Sequence, residues 1–154
     1  MLLITTFIIG LLIRRFIKRE GLGVKYIARI SMCIMLIFTG ISHFIFTNGM
    51  AKMLPFEDSV SQTTIYVSGI LEIVLGLCLI SKRYYKTAGI LTIIFLLMVL
   101  PANIYAAFNN IDPITGTNQG SDSTYLWFRV PLQMFFMVWV YFSTHKKNKT
   151  KTRK

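Results

Sequence analysis

The sequence predicts an all-α, polytopic membrane protein: an antiparallel bundle of four transmembrane helices preceded by a short N-terminal hydrophobic helix. Three observations carry this expectation. The 154-residue chain is 54% hydrophobic with a mean hydropathy of +0.58, and its apolar stretches are apolar all round rather than amphipathic, which suits lipid more than a soluble core. Four of these stretches are long enough to approach or exceed the span of a bilayer. Fifteen of the seventeen basic residues fall in three clusters, at 14–29, 82–86 and 146–154, and these flank the stretches on alternate connections.

The first run, Leu2 to Ile13, is short for a crossing, since a spanning helix needs about 20 residues. Extended to Ile17 with Arg14 and Arg15 snorkelling, it nears the limit. It has neither a basic leader nor a small-residue cleavage site, so it does not read as a cleaved secretory signal. The expectation is a membrane segment with its N-terminus outside, with an interfacial or re-entrant segment as the alternative. The second run, Tyr26 to Phe46, is long enough to span. Between Thr47 and Gln62 a loop is expected, with Asn48-Gly49 and Pro55 breaking any helix. The third run, Thr63 to Ser81, leads into the basic turn Lys82 to Lys86, which forces the fourth run, Ala88 to Phe108, to be its antiparallel neighbour. A polar stretch with turn chemistry, Asn109 to Thr124, precedes the fifth run, Tyr125 to Phe142. The domain organisation is therefore a short hydrophobic segment and basic linker at 1–24, a membrane domain at 25–144 and a basic, disordered tail at 145–154.

The net charge of +11 first suggests nucleic acid. The basic residues instead flank apolar runs with no aromatic-interleaved surface, so the expected partner is a bilayer with anionic headgroups and not nucleic acid. The acidic loops fall on the opposite side, and the positive-inside rule then places the C-terminus in the cytoplasm. The expected location is the bacterial plasma membrane.

Glu72 is the residue around which the functional reading turns. It stands in a run with no other charged side chain between Asp58 and Lys82, where an uncompensated carboxylate costs at least ~2.5–3.5 kcal/mol. Helical rise puts it near the midplane. By the same measure Gln133, Asn103, Arg129 and His43 lie at depth in the outer half, spread with Glu72 over four helices. Ser68, Gly69, Glu72 and Gly76 form one stripe that admits a close neighbour helix. Gly40 and His43 share a face, as do Arg129 and Gln133. Pro101 and Pro131 each free a carbonyl four residues earlier, those of Leu97 and Trp127. The expected partner of Glu72 is Arg129, with His43 as the other intramembrane cation if protonated and Gln133 as a bridge. This set is either a ligand pocket or a buried polar network that fixes helix register.

Other chemistries find no support in the residues. Cys33 and Cys78 form no CxxC and have no partner at metal-ligand spacing, so they read as small apolar core residues. His43 and His145 fall on opposite sides of the membrane, which excludes bis-His haem ligation within one chain. No metal or haem is expected. Neither a phosphate-cradling glycine loop nor a Ser/His/Asp set at matching depth is present.

Four short motifs occur in order on four successive runs: Gly40-Ile41-Ser42-His43-Phe44, Gly69-Ile70-Leu71-Glu72, Pro101-Ala102-Asn103-Ile104-Tyr105 and Arg129-Val130-Pro131-Leu132-Gln133. In this the chain, over about Lys25 to Thr144, resembles the DoxX family of bacterial membrane proteins. The resemblance implies a four-helix membrane bundle and a link to redox chemistry, with quinone as the candidate cofactor and a redox protein as the candidate partner. The functional expectation is an accessory subunit of a quinone-linked membrane system, not a stand-alone enzyme, with an outward-facing polar pocket for a small amphipathic ligand. The alternative is a non-catalytic assembly or chaperone-like protein whose polar core only fixes packing.

Overall fold

The structure, a computed structural model, describes residues 2–16, 23–109, 111, 114 and 124–145, with the side chains of 13, 14, 16, 107 and 124–129 excepted. Six helices follow one another: α1 (Leu2–Phe16), α2 (Val24–Ile45), α3 (Thr47–Ala51), α4 (Asp58–Ile80), α5 (Tyr85–Phe108) and α6 (Thr124–Thr144). No strand occurs among the described residues. Three helices are long and apolar enough to cross a membrane: Val24–Ile45, Asp58–Ile80 and the Tyr85–Ala106 part of α5. Leu2–Leu12 and Val130–Thr144 are shorter apolar helices.

α2 packs on α4, α4 on α5, α5 on α6 and α6 back on α2, while α1 lies against α2. The directions follow from which residues meet. Gly40 of α2 faces Gly69 of α4, and Cys33 faces Gly76, so the two helices run antiparallel. Lys25 donates to the His145 carbonyl, while Trp139 Nε1 donates to the Ala28 carbonyl at 3.1 Å, which makes α2 and α6 antiparallel. Gly89 meets Thr144, and Leu96 meets Gln133, so α5 and α6 are antiparallel as well.

The distribution of polarity is inverted relative to a water-soluble domain. Met98 is 74% exposed and Phe142 67%, whereas Glu72, Thr92, Asn103, Gln133, Ser143 and Thr144 are buried. Burying a hydroxyl away from water is tolerable when it has a local acceptor. Ser31, Thr92 and Thr144 each donate to the carbonyl four residues earlier, at 3.0, 2.7 and 2.7 Å. These three hydroxyls are thereby carried inward with their donors satisfied.

The connection after α2 differs from the expected loop. Phe46 leaves helical geometry at φ −110°, ψ 28°, but Thr47 Oγ1 donates back to the His43 carbonyl at 2.7 Å and Met50 N–H to Phe46 at 3.0 Å. These bonds carry Asn48 and Gly49 into the single turn of α3, and Gly49 is buried there rather than acting as a breaker. α4 also begins at Asp58, five residues before the apolar run starts. Ser61 N–H bonds the Glu57 carbonyl at 2.9 Å, Asp58 complements the helix N-terminus, and Thr63 and Thr64 fold their hydroxyls onto α4 carbonyls at 2.9 and 2.8 Å. Local hydrogen bonding replaced the hydropathy that the boundary had been read from. The expected tail from 146 onward and most of the polar stretch 109–124 lie outside the described residues.

Candidate functional site

The site begins with glycines. A Cβ on Gly40 would stand 2.9 Å from the Gly69 carbonyl oxygen, and one on Gly69 would stand 2.9 Å from the Gly40 carbonyl oxygen and from His43 Cβ. Two backbones this close leave no room for a side chain between them, so α2 and α4 touch directly and bring His43 up to the stripe holding Ser68 and Glu72.

Ser68 Oγ lies 2.8 Å from the Ile65 carbonyl oxygen and 2.8 Å from His43 Nδ1, and which of the two receives the hydroxyl proton follows the imidazole tautomer. Nε2 is left on the side of Glu72, 3.9 Å from Oε2. The distance is within ion-pair range but too long for a hydrogen bond, and the pair is ionic only when the imidazole is protonated. His43 and Glu72 each make further contacts as well. Glu72 is 7% exposed, so this acid–base pair is held away from water.

A second polar unit joins α5 to α6. Gln133, 6% exposed, donates through Nε2 to the Leu96 carbonyl and accepts at Oε1 from Asn103 Nδ2 at 3.2 Å. Leu96 and Asn103 are seven residues apart, two turns along one face of α5, and Pro101 lies between them. The amide of Gln133 thus forms a strap across the turn that proline interrupts. The carbonyl it satisfies belongs to Leu96, one residue before the Leu97 carbonyl expected from the proline rule alone. Nothing in composition marks Leu96; only its spacing from Asn103 does.

The two units share a level. Ala28 opposite Trp139 sets the register of α2 with α6, and Cys33 opposite Gly76 sets that of α2 with α4. Counting along the helices from these pairs brings Gln133 to within about one turn of Glu72 in height. α4 and α6 do not pack on each other, so two buried polar side chains come from diagonal helices at the middle of the assembly. His43 and Asn103 lie further toward the acidic-loop end.

Arg129 occupies α6 one turn from Gln133 on the side of Asn103. Its side chain lies outside the described residues, and with it the expected Glu72–Arg129 pair. By the same count its backbone stands within about one turn of Glu72, closer in height than apolar-run ends indicate. Cys33 and Cys78 are free thiols, the first buried. Among the described residues no three His, Cys, Asp or Glu side chains gather where they would hold a metal.

Among the described residues the chain is all helical, with three helices long and apolar enough to cross a membrane, many large apolar side chains outside and the His43–Glu72 pair and amide strap inside, an architecture consistent with a helical membrane protein. More particularly, residues 32–144 match the domain of unknown function DUF8561, and the chain belongs to that family. No curated protein and no solved structure matches the chain.

Proposed function

We propose that the protein is a membrane-embedded accessory component in which α2, α4, α5 and α6 all cross the bilayer, with the C-terminus on the cytoplasmic side of a bacterial plasma membrane. Its two polar units differ in role. The Asn103–Gln133–Leu96 strap is structural: its donors and acceptors are used on each other and on backbone. The His43–Glu72 corner is the binding element, taking the oxygen-bearing head of a small amphipathic molecule of the quinone type, with the imidazole as donor and the carboxylate setting its charge. The carrying observation is the 3.9 Å separation of a part-buried imidazole and a buried carboxylate. An ionisable pair at such depth is expensive, and in membrane helices it marks a functional site more often than not. The likeness to DoxX proteins belongs with this reading, because the four motifs that carry it fall in order on α2, α4, α5 and α6.

A second reading is an assembly or chaperone-like protein with a purely structural core. The direct Gly40–Gly69 contact favours it, since that contact seals the seam between α2 and α4. Extraction in mild detergent followed by mass spectrometry of the organic-soluble fraction separates the two. Binding predicts a stoichiometric small molecule in wild type that E72Q loses while its helical circular dichroism persists. A preparation with no such molecule, and an E72Q variant altered only in melting temperature, would establish the second reading.

A further inference from the structure

At the basic end of the bundle the fold organises a cation without neutralising it. Arg29 lies on α2, five residues past Val24. Its guanidinium carbon stands 4.2 Å from the ring centre of Tyr85, at the start of α5, and 5.4 Å from that of Tyr26 on its own helix. Nε of Arg29 is buried and has no hydrogen-bond partner, and no described carboxylate lies within ion-pair reach. Contact with two rings offsets part of the cost of burying that nitrogen, but a buried N–H donor normally has an acceptor.

The surroundings select what that acceptor is. Lys25, one turn away on the same face, is already tied to the His145 carbonyl. Lys82, Arg83 and Lys86 are exposed around the start of α5, so the local field favours an anion. A planar guanidinium presents paired N–H groups, which match two oxygens of a phosphate better than a single point acceptor. Arg29 lies about 7–8 Å inside the start of α2 by helical rise, at the depth of the headgroup and glycerol layer if α2 spans. Val24, Tyr84 and Ile90, each about half exposed, flank this end with apolar surface suited to acyl chains and not to a small soluble anion.

We propose that Arg29, in contact with the rings of Tyr26 and Tyr85, is the phosphate-binding centre of a site for one anionic phospholipid on the basic side of the membrane. The site rests on the membrane-spanning reading above and is independent of the His43–Glu72 corner. The lysines and Arg83 raise the local concentration of anionic lipid, whereas Arg29 fixes one headgroup.

The test is native mass spectrometry of the full-length protein in detergent micelles titrated with phosphatidylglycerol or phosphatidylcholine. Carbonate extraction of membranes is run alongside to establish that the chain is integral. One phosphatidylglycerol is expected to persist on wild type in preference to phosphatidylcholine. R29K keeps the charge and the stem but loses the fork, and should weaken that adduct roughly tenfold; R29A should lose it. Y85F, which keeps the ring, should retain it and Y85L should not. Equal retention by wild type and R29K would overturn the proposal, as would equal uptake of the two lipids. Displacement of the lipid by millimolar inorganic phosphate would overturn it in favour of a soluble phosphate ligand. Release of the chain by carbonate would instead overturn the membrane reading.

Discussion

His43 and Glu72 meet across the seam between α2 and α4 with Nε2 and Oε2 3.9 Å apart, and Ser68 orients the imidazole from its other nitrogen. Two residues 29 positions apart in the chain are therefore within ion-pair distance of each other. A double-mutant cycle of H43Q and E72Q, read as unfolding free energy in mixed micelles, should give a coupling of about 0.5–2 kcal/mol. Additive effects would show that the two side chains are held near each other without interacting.

The seam depends on the absence of side chains at two glycines. G69A should destabilise by about 1–3 kcal/mol, because the added Cβ meets backbone and the base of His43 rather than a flexible chain end. G40A should do the same, from contact with the Gly69 carbonyl. At Gly23 a Cβ would meet nothing within 4 Å, so G23A serves as the control and should change the unfolding midpoint little. A G69A variant as stable as G23A would mean that the helices separate without cost.

The amide strap predicts a cost that does not depend on Pro101. Q133L removes the side-chain partner of the Leu96 carbonyl and of the Asn103 amide and should cost about 1–3 kcal/mol. In a P101A background the donor regained at residue 101 serves the Leu97 carbonyl and not that of Leu96, so the same Q133L change should cost as much. A smaller penalty in P101A would show that Gln133 acts by compensating the interrupted turn.

Orientation is testable without a ligand. A reporter active only in the cytoplasm, fused after Lys154, should be active, and the same reporter inserted near residue 118 should be silent. Activity at both positions would leave α6 uncrossed and reduce the spanning set to the three helices that meet the length and hydropathy criteria.

Much of the site was legible because the bilayer makes polarity rare and therefore informative. In a chain with this hydropathy, Glu72, Gln133, Asn103 and His43 are conspicuous, and helical periodicity alone puts Gly69, Glu72 and Gly76 on one stripe. The stripe's use by α2 follows from sterics: the glycines define a strip of α4 that lets another backbone come close. Partnership was less legible. The expected Glu72–Arg129 pair lies outside the described residues, whereas among those described the basic side chain beside the carboxylate is His43. Its approach depends on a close passage of two backbones, with no room for a Cβ at Gly40 or Gly69, that no charge argument anticipates. The Leu96 carbonyl was invisible for a similar reason, since every residue has one.

Helix boundaries divide the same way. Hydropathy placed α2 and α5 within about three residues, because their ends coincide with loss of apolar character. It missed α3 and the first turns of α4, where serine and threonine hydroxyls bonded to nearby carbonyls keep a polar segment helical.

By itself the sequence determined the helical class, the position of the apolar segments, the clustering of basic charge between them and which side chains are costly to leave unpaired among apolar ones. These follow from transfer free energies, which are additive along the chain and need no knowledge of neighbours. The tertiary structure alone decided which helices close the ring, that Glu72 and Gln133 come from diagonal helices at one height, that His43 approaches the carboxylate, and that Arg29 lies between two tyrosines. Those are matters of register and close packing, set where backbones meet at glycine and where one amide or one ring fills a particular gap.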